Sequence, residues 1–293
     1  MGLHLPKTAH RVSRRLIAAA LLGFSLLMLA GCSQETQDQA SRFAMPADSP
    51  ATVQGQHIAD LWKWSWVAAL VTGVVVWGLI FFVVWRYRRK SDDEIPVQTR
   101  YNLPLEIFYT IAPIIMVVVL FQHTVLAQNA VLKLEDNPDH VVKVVGQQWT
   151  WTFNYVDEDV AGGKVVYSSG TAREVPTLVL VEGQTVEFDL SSPDVIHGFW
   201  VPAFLMKMDV VPGRNNRFQV TPNQIGDFRG KCTELCGVYH SRMLFNVKVV
   251  TETDFEQYLR DQIEAGFVAD EPLLGGEDAR TVTGQDDSEG GSE

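Results

Sequence analysis

Two long stretches without any Asp, Glu, Lys or Arg constrain this chain more than any other feature. The first is Trp64–Trp85, and at about 1.5 Å per residue an α-helix of that length spans about 33 Å, the thickness of a bilayer core. The second is Ile107–Ala127, which contains Pro113. A proline inside a membrane helix is tolerated when neighbouring groups satisfy the freed carbonyl. The sequence therefore predicts a two-helix transmembrane hairpin over residues 61–130.

The N-terminus resembles a bacterial lipoprotein signal. A basic segment, Lys7–Arg15, precedes the apolar stretch Leu16–Ala30, and small residues then lead to Cys32. The alternatives are an ordinary signal peptide and a first membrane helix. The apolar stretch is short for a membrane helix, which needs about 20 apolar residues. We predict a lipoprotein signal peptide over residues 1–31 and a lipid anchor at Cys32.

The charges between the two apolar stretches predict the topology. Basic residues in a short loop mark the cytoplasmic side of a membrane, and two spans return the chain to the side from which it started. A lipidated N-terminus lies outside the cytoplasm, so both signals place the rest of the chain outside the plasma membrane. Residues 32–60 are polar and predict a linker. The basic residues of the connector are Arg86, Arg88, Arg89, Lys90 and Arg100.

Residues 131–265 have the pattern of a soluble β domain. Val141–Tyr155 alternates so that Trp149, Trp151, Phe153 and Tyr155 fall on one face. Short strands between Gly and Pro turns predict an antiparallel sandwich or a Greek-key barrel. Further predicted strands are Thr177–Val181, Gln184–Leu190, Asn216–Thr221 and Leu244–Val250, and Thr253–Ala265 is predicted to be a helix.

Acidic residues outnumber basic ones, and the C-terminus is especially acidic. The chain has 24 Lys and Arg against 35 Asp and Glu, a formal net charge of −11. This balance argues against a nucleic-acid partner and favours a basic protein partner or simple solubility. Residues 266–293 have few apolar side chains and predict a disordered acidic tail. Loop acids in Glu135–Asp139 and Asp157–Asp159 are candidates for attracting a basic protein.

The strongest chemical motif is C-x3-C-x3-H-x2-M, formed by Cys232, Cys236, His240 and Met243. His197 lies upstream. Together these residues offer two thiolates, two imidazoles and a thioether, and the thioether in particular favours copper.

Besides a site with two copper ions, the cysteine pair has three other interpretations. A disulfide is common in an oxidising compartment, but it leaves His240 and Met243 without a role. Structural zinc uses Cys2His2 sites but seldom recruits methionine. A mononuclear blue-copper site uses one cysteine, two histidines and an axial methionine, so this chain has one thiolate in excess. A second thiolate at this spacing suits a bridge to a second copper ion.

These residues and their setting resemble subunit II of haem–copper cytochrome c oxidases over roughly Leu61 to Thr251. The resemblance implies an N-terminal α-helical transmembrane hairpin followed by an all-β, cupredoxin-like Greek-key barrel. It also implies a binuclear CuA centre in which Cys232 and Cys236 bridge two coppers and His197 and His240 each bind one. Met243 and the backbone carbonyl of Glu234 then complete the centre.

The same resemblance assigns further residues and partners. Trp149, in Gly146-Gln-Gln-Trp149-Thr-Trp151, matches the tryptophan at which electrons arrive from cytochrome c, although a core aromatic is the alternative. Glu106 matches the mouth of a proton channel of subunit I, although a helix-start acid is the alternative. The Glu234 carboxylate is implied to face magnesium shared with subunit I.

The implied partners are subunit I, other oxidase subunits, the membrane, and a cytochrome c that is mobile or held in a supercomplex. Arg242 beside Met243 is a departure that points to a different donor. Three rivals are a quinol oxidase subunit, which lacks the copper ligands, the CuA domain of nitrous oxide reductase, which lacks the hairpin, and a copper-delivery protein, which needs exposed ligands.

Overall fold

The structure, a computed structural model, describes residues 33–91, 95, 97–171 and 174–276. The predicted signal peptide, Cys32 and residues 277–293 lie outside this range. The chain divides into two units, one ending at Pro46 and the other beginning at Ala47. In the first unit, helix α1 (Gln34–Ser41) begins after Ser33, whose hydroxyl accepts the Thr36 N–H. This capped helix lies within residues 32–60, for which the sequence predicts a linker.

Two long apolar helices follow, as the sequence predicts. Helix α2 (Val53–Arg86) has 34 residues and helix α3 (Leu103–Val131) has 29, with Pro113 inside it. The most apolar window of each helix is not buried within the chain, and both windows are apolar enough to cross a membrane. Helix α2 begins well before Trp64 because Thr52 caps it by accepting the Gly55 N–H at 3.0 Å. Residues 53–60 of the predicted linker are therefore also helical, whereas residues 42–52 are turns and irregular structure.

The β domain consists of two sheets. The six-stranded sheet has the order β11-β3-β2-β1-β5-β8, and the five-stranded sheet has the order β4-β10-β9-β6-β7. The predicted all-β domain is confirmed; pairs β1·β5 and β4·β10 are parallel, and the other strand pairs are antiparallel. The strands are β1 (His140–Gln147), β2 (Thr150–Val156), β3 (Val165–Ser169), β4 (Thr177–Val181), β5 (Val186–Ser191), β6 (His197–Val201), β7 (Met206–Val210), β8 (Asn216–Val220), β9 (Gly226–Cys232), β10 (Leu244–Val250) and β11 (Val268–Ala269).

The alternating segment Val141–Tyr155 forms a hairpin rather than one strand. Strands β1 and β2 pair antiparallel with Gln147 opposite Thr150, which places Trp149 in the turn. Trp151, Phe153 and Tyr155 are fully buried, whereas Trp149 is only half-buried. The alternation rule therefore holds for three of the four aromatic residues, and the turn removes Trp149 from the core face.

The C-terminal part of the domain is more ordered than its composition predicts. Helix α4 (Glu252–Glu264) buries Phe255 and Leu259, and β11 pairs with β3. The fully buried Asn154 side chain accepts the Leu273 N–H at 2.8 Å and donates to the Leu273 carbonyl at 3.1 Å. The prediction that disorder begins at residue 266 is wrong up to Gly276, because a buried amide satisfies the backbone of this segment.

Candidate metal centre

Neighbouring strands of the five-stranded sheet bring the distant histidine to the cysteines. His197 is the first residue of β6 and Cys232 is the last residue of β9. The two strands pair antiparallel with Phe199 opposite Cys232. The Cys232 N–H donates to the Met243 carbonyl at 3.0 Å, which closes the loop between β9 and β10. Residues 35 positions apart in sequence therefore meet at one end of the sheet.

Five side-chain donor atoms converge at this end. Cys232 Sγ lies 3.9 Å from Cys236 Sγ and 3.9 Å from His197 Nδ1. Cys236 Sγ lies 3.5 Å from His240 Nδ1 and 3.8 Å from Met243 Sδ. The Glu234 carbonyl oxygen lies 3.2 Å from Cys232 Sγ. Each imidazole thus faces a different thiol, and the two thiols lie between them.

The thiols are reduced and enclosed. Both cysteines are free, and their sulfur separation far exceeds the roughly 2.05 Å of a disulfide. His197 and Met243 are completely buried and both cysteines are nearly so, while His240 is half-buried. The disulfide alternative does not describe this structure, and the enclosed ligands differ from the exposed ones expected of a copper-delivery protein.

Gly198 allows β6 to approach the cysteine loop. Its N–H lies 3.5 Å from Cys232 Sγ, and its carbonyl accepts the Thr233 N–H at 3.1 Å. A Cβ at this position would overlap the Thr233 hydroxyl. Glycine is therefore required for the close approach of the two backbones.

Asp194 orients the buried histidine. Its Oδ1 lies 2.8 Å from His197 Nε2, and its Oδ2 accepts the Gln148 N–H at 2.7 Å. Although burial opposes ionisation, these hydrogen bonds and that of Val195 N–H hold the pKa of Asp194 at about 2. The carboxylate accepts the proton on Nε2, so Nδ1 presents its lone pair to the thiols. Sequence reasoning missed this residue, although its spacing, three positions before His197, is a usable signal.

The two thiols have very different proton affinities. Burial opposes ionisation of Cys232, but its interaction with His197 and the hydrogen bond from the Gly198 N–H lower its pKa to about 7. Burial and then repulsion from the Cys232 thiolate raise the pKa of Cys236 to about 12. One thiolate forms readily and suppresses the second, so a nearby cation is needed to hold both sulfurs ionised.

Comparison with known proteins identifies the family of this chain. The family model described as cytochrome c oxidase subunit II, periplasmic domain, matches residues 140–250. A protein of Streptomyces coelicolor named "Probable cytochrome c oxidase subunit 2" is 45% identical over 289 residues, which cover 86% of this chain and 88% of the relative. The chain belongs to the cytochrome c oxidase subunit II family.

A second relative spans a comparable length, whereas a solved structure covers a smaller share of this chain. Cytochrome c oxidase subunit 2 of Mycobacterium bovis is 34% identical over 304 residues, covering 86% of this chain and 82% of the relative. The crystal structure of the periplasmic domain of subunit II of cytochrome oxidase from Bradyrhizobium japonicum is 28% identical, with a TM-score of 0.40, covering 46% of this chain and 99% of that chain. These relatives are named as subunits of cytochrome c oxidase, and the two apolar helices before the β domain fit a membrane protein with a periplasmic domain.

The donor set fits the copper expected of a subunit II. His197, Cys232 and Cys236 present ligand atoms within 4.8 Å of one another, and all three residues are buried. Two thiols, a thioether and two imidazoles are soft or intermediate ligands, which suit copper better than calcium or magnesium. The two groups of Glu234 that were expected to serve metal sites face different partners. Its carbonyl faces Cys232 Sγ, whereas its carboxylate lies 3.6 Å from Lys207 Nζ.

Trp149 lies against the cysteine loop between β9 and β10 in this member of the subunit II family. Its ring centroid is 5.0 Å from that of Tyr239, with the planes at 88°. The preceding residue, Gln148, donates from its side chain to the Cys236 carbonyl at 2.6 Å. Sequence reasoning selected Trp149 but missed Gln148 and Tyr239, both of which connect the turn to the cysteine loop.

Glu106 has a local structural role. Asn102 is the N-cap of α3, its side chain accepts the Leu105 N–H at 3.3 Å, and its own N–H donates to Glu106 Oε1 at 3.0 Å. This reciprocal arrangement is similar to a capping box, with the acid at N4 instead of N3. The alternative given above, an acid favoured at the start of a helix, thus accounts for the orientation of Glu106 in this chain.

Proposed function

We propose that this chain accepts electrons from cytochrome c and passes them to haem in subunit I, where oxygen is reduced to water and protons are translocated. A single observation supports the proposal most strongly. Two reduced thiols 3.9 Å apart lie between two imidazoles whose Nδ1 atoms face different sulfurs. That arrangement suits two bridged metal ions and exceeds what one ion requires. Membership of the subunit II family supplies the reaction in which such a centre serves.

His197, Cys232, Cys236, His240, Met243 and the Glu234 carbonyl would hold a binuclear copper centre, which supplies a site that gains and loses one electron. The protein side chains keep the geometry constant. Asp194 holds His197 in one tautomer, and burial keeps water from the thiolates. A rigid ligand set needs little rearrangement when the charge of the metals changes, so electrons pass with a small barrier.

The remaining assignments complete the proposal. Electrons arrive near Trp149, the Glu234 carboxylate contributes to a magnesium site at the subunit I boundary, and Glu106 lies at a proton-channel mouth. The chain sits in a bacterial plasma membrane with the copper domain outside, anchored by lipid at Cys32. The ion pair of Lys207 with Glu234 supports a charged interface with subunit I, because the pair is only half-buried and remains available to a partner.

The decisive experiment is copper loading of the purified full chain in detergent. We expect two copper ions per chain and an EPR signal in which one unpaired electron is shared by both nuclei. Replacing either cysteine, by Cys232→Ser or Cys236→Ser, is expected to abolish the shared signal because no second sulfur bridge remains. Ser241→Ala, an exposed position in the same loop, is the matched control.

Two results would contradict the assignment. One copper per chain would indicate a mononuclear site, and tighter retention of zinc than of copper would indicate a structural metal. Turnover of the assembled oxidase with reduced cytochrome c tests the proposed electron-transfer role. A chain with an intact shared-electron signal that supports no turnover would leave the metal site standing and remove the electron-transfer role.

A further inference from the structure

The surface around Trp149 is apolar and carries a cation. Leu235 and Val238 are both 84% exposed and Tyr239 is 47% exposed. Arg242 is exposed, and its guanidinium lies 5.8 Å from the centroid of the Tyr239 ring. All four residues belong to the loop between Cys232 and Met243. Large apolar side chains exposed together mark a surface that contacts another molecule.

The loop acids that were candidates for attracting a basic protein lie elsewhere. Asp139 precedes β1 and Asp157 follows β2, so both lie at the end of the hairpin opposite the Trp149 turn. A strand of this length separates the two ends by roughly 23 Å at about 3.3 Å per residue. Asp139 accepts the Thr185 N–H at 2.7 Å, and Glu158 is 2.9 Å from His140. These acids therefore do not border the Trp149 turn, and their attraction of a basic protein stays a prediction.

The acids closer to the turn are already engaged. Asp194 is bonded to His197, and Glu234 forms an ion pair with Lys207. Among the described residues, Arg242 makes no ion pair with an acidic side chain. Its charge is therefore available to a partner, and the aromatic face of Tyr239 holds it at the edge of the apolar patch.

Tyr239 is the outer member of an aromatic pair. Its ring meets that of Trp149 edge to face at 5.0 Å, and Trp149 is the more buried of the two. Tyr239 also directly precedes His240 in the chain. A protein docking at this turn therefore meets the tyrosine ring first, one residue from a proposed copper ligand.

We propose that Tyr239 is the docking contact of the electron donor and that Arg242 selects a donor with carboxylates beside its haem edge. This inference rests on the proposed electron-transfer function. One electron leaves the ferrous haem iron of the donor, which becomes ferric, and reduces the copper pair by one electron. The apolar contacts give affinity that salt does not weaken, while Arg242 gives the charge preference.

The test compares two forms of one donor with the assembled oxidase. A lysine-rich cytochrome c is used unmodified and after succinylation of its lysines, which reverses its surface charge. At low ionic strength Arg242→Glu is expected to lower kcat/KM for the succinylated donor and raise it for the unmodified donor, each by roughly threefold or more. Both effects shrink as salt is added. Arg229→Glu on β9 is the matched charge control.

The aromatic contact is tested with the same donors. Tyr239→Leu is expected to lower kcat/KM for both by about fivefold, whereas Tyr239→Phe retains the ring and stays within about twofold of the parent. The copper EPR signal must remain unchanged in each variant. An altered or missing signal in the parent would instead count against the proposed metal site.

The acidic C-terminal segment requires its own control. The Gly276 N–H donates to Gln147 Oε1 at 3.1 Å, close to the Trp149 turn, and the sequence beyond Gly276 is acidic. The Arg242 comparison is therefore repeated with a chain that ends at Gly276. The inference is overturned if Arg242→Glu acts only in the longer chain, if it moves both donors in the same direction, or if Tyr239→Leu leaves both unchanged.

Discussion

Replacing Asp194 by asparagine tests how the protein prepares His197 for metal. In the parent chain both carboxylate oxygens accept hydrogen bonds, Oδ1 lying 2.8 Å from His197 Nε2 and Oδ2 2.7 Å from the Gln148 nitrogen. An amide has one accepting oxygen, and its nitrogen only donates. Asp194→Asn therefore forces its NH2 group to oppose either the imidazole N–H or the backbone N–H.

The size of the effect follows from these contacts. A hydrogen bond to a charged group contributes about 1.5–3 kcal/mol, and a change of about 1.4 kcal/mol is tenfold in an equilibrium constant. Loss of an outer ligand partner of this kind typically lowers metal affinity by about 10–100-fold. We therefore expect Asp194→Asn to release copper at a chelator concentration about 10–100-fold lower than the parent does.

The assay is competition between the copper-loaded full chain and a chelator, followed by the EPR signal. The control is Asp189→Asn on β5, the same chemical change at an acid that contacts none of the proposed ligands through its carboxylate hydrogen bonds. Circular dichroism before loading establishes that each variant is folded. If folded Asp194→Asn retained copper within about twofold of the parent, the claim that Asp194 fixes the His197 tautomer would be refuted.

Two further predictions concern stability. Burial lowers the pKa of His140, but the hydrogen bond and charge of Glu158 raise it above 6.5 overall. The stabilisation that comes from protonated His140 is therefore complete below pH 6.5 and is lost as the pH rises through the folded pKa. The difference in thermal stability between the parent and His140→Gln, measured by thermal denaturation, should therefore be larger at pH 5.5 than at pH 8.5. A difference that did not change with pH would contradict this prediction. Gly230→Ala is expected to destabilise the β domain by about 1–3 kcal/mol, because its Cβ would overlap the buried Phe245 ring. Gly226→Ala on the same strand meets only ordinary contacts and should change the denaturation midpoint little.

Local patterns predicted the parts of this molecule that local physics determines. The apolar lengths of α2 and α3 identified the hairpin because a bilayer demands uninterrupted apolar helices. The cysteine loop identified soft-metal ligands because Cys232, Cys236, His240 and Met243 are close in sequence and meet without help from the rest of the fold. Alternation placed Trp151, Phe153 and Tyr155 in the core because one face of β2 is covered by the second sheet.

The remaining features depend on distant partners and were not visible locally. The role of His197 came from family resemblance, since its position beside Cys232 requires β6 to pair with β9. Composition predicted disorder after residue 266 because it could not reveal that the Asn154 amide holds Leu273. Strands β7 and β9 were missed because their alternating charged residues resemble loops, although one face of each is buried.

The start of α2 joins the apolar helix to the β domain that carries the candidate metal centre. The 34 residues of α2 span about 51 Å, of which a bilayer core accounts for about 30 Å, so the helix projects out of the membrane. Two hydrogen bonds join the start of the helix to the β domain. The Ala51 N–H, just before the helix, donates to the Ala203 carbonyl at 2.9 Å, and the Val53 N–H in the first turn donates to the Thr221 carbonyl at 3.0 Å. Ala203 lies in the turn that follows β6, and Thr221 lies between β8 and β9. The start of α2 is thus bonded to the segments next to β6, which carries His197, and β9, which carries Cys232. A flexible linker at this point would leave the distance between α2 and the candidate metal centre free to vary, whereas these hydrogen bonds hold the start of α2 against the β domain.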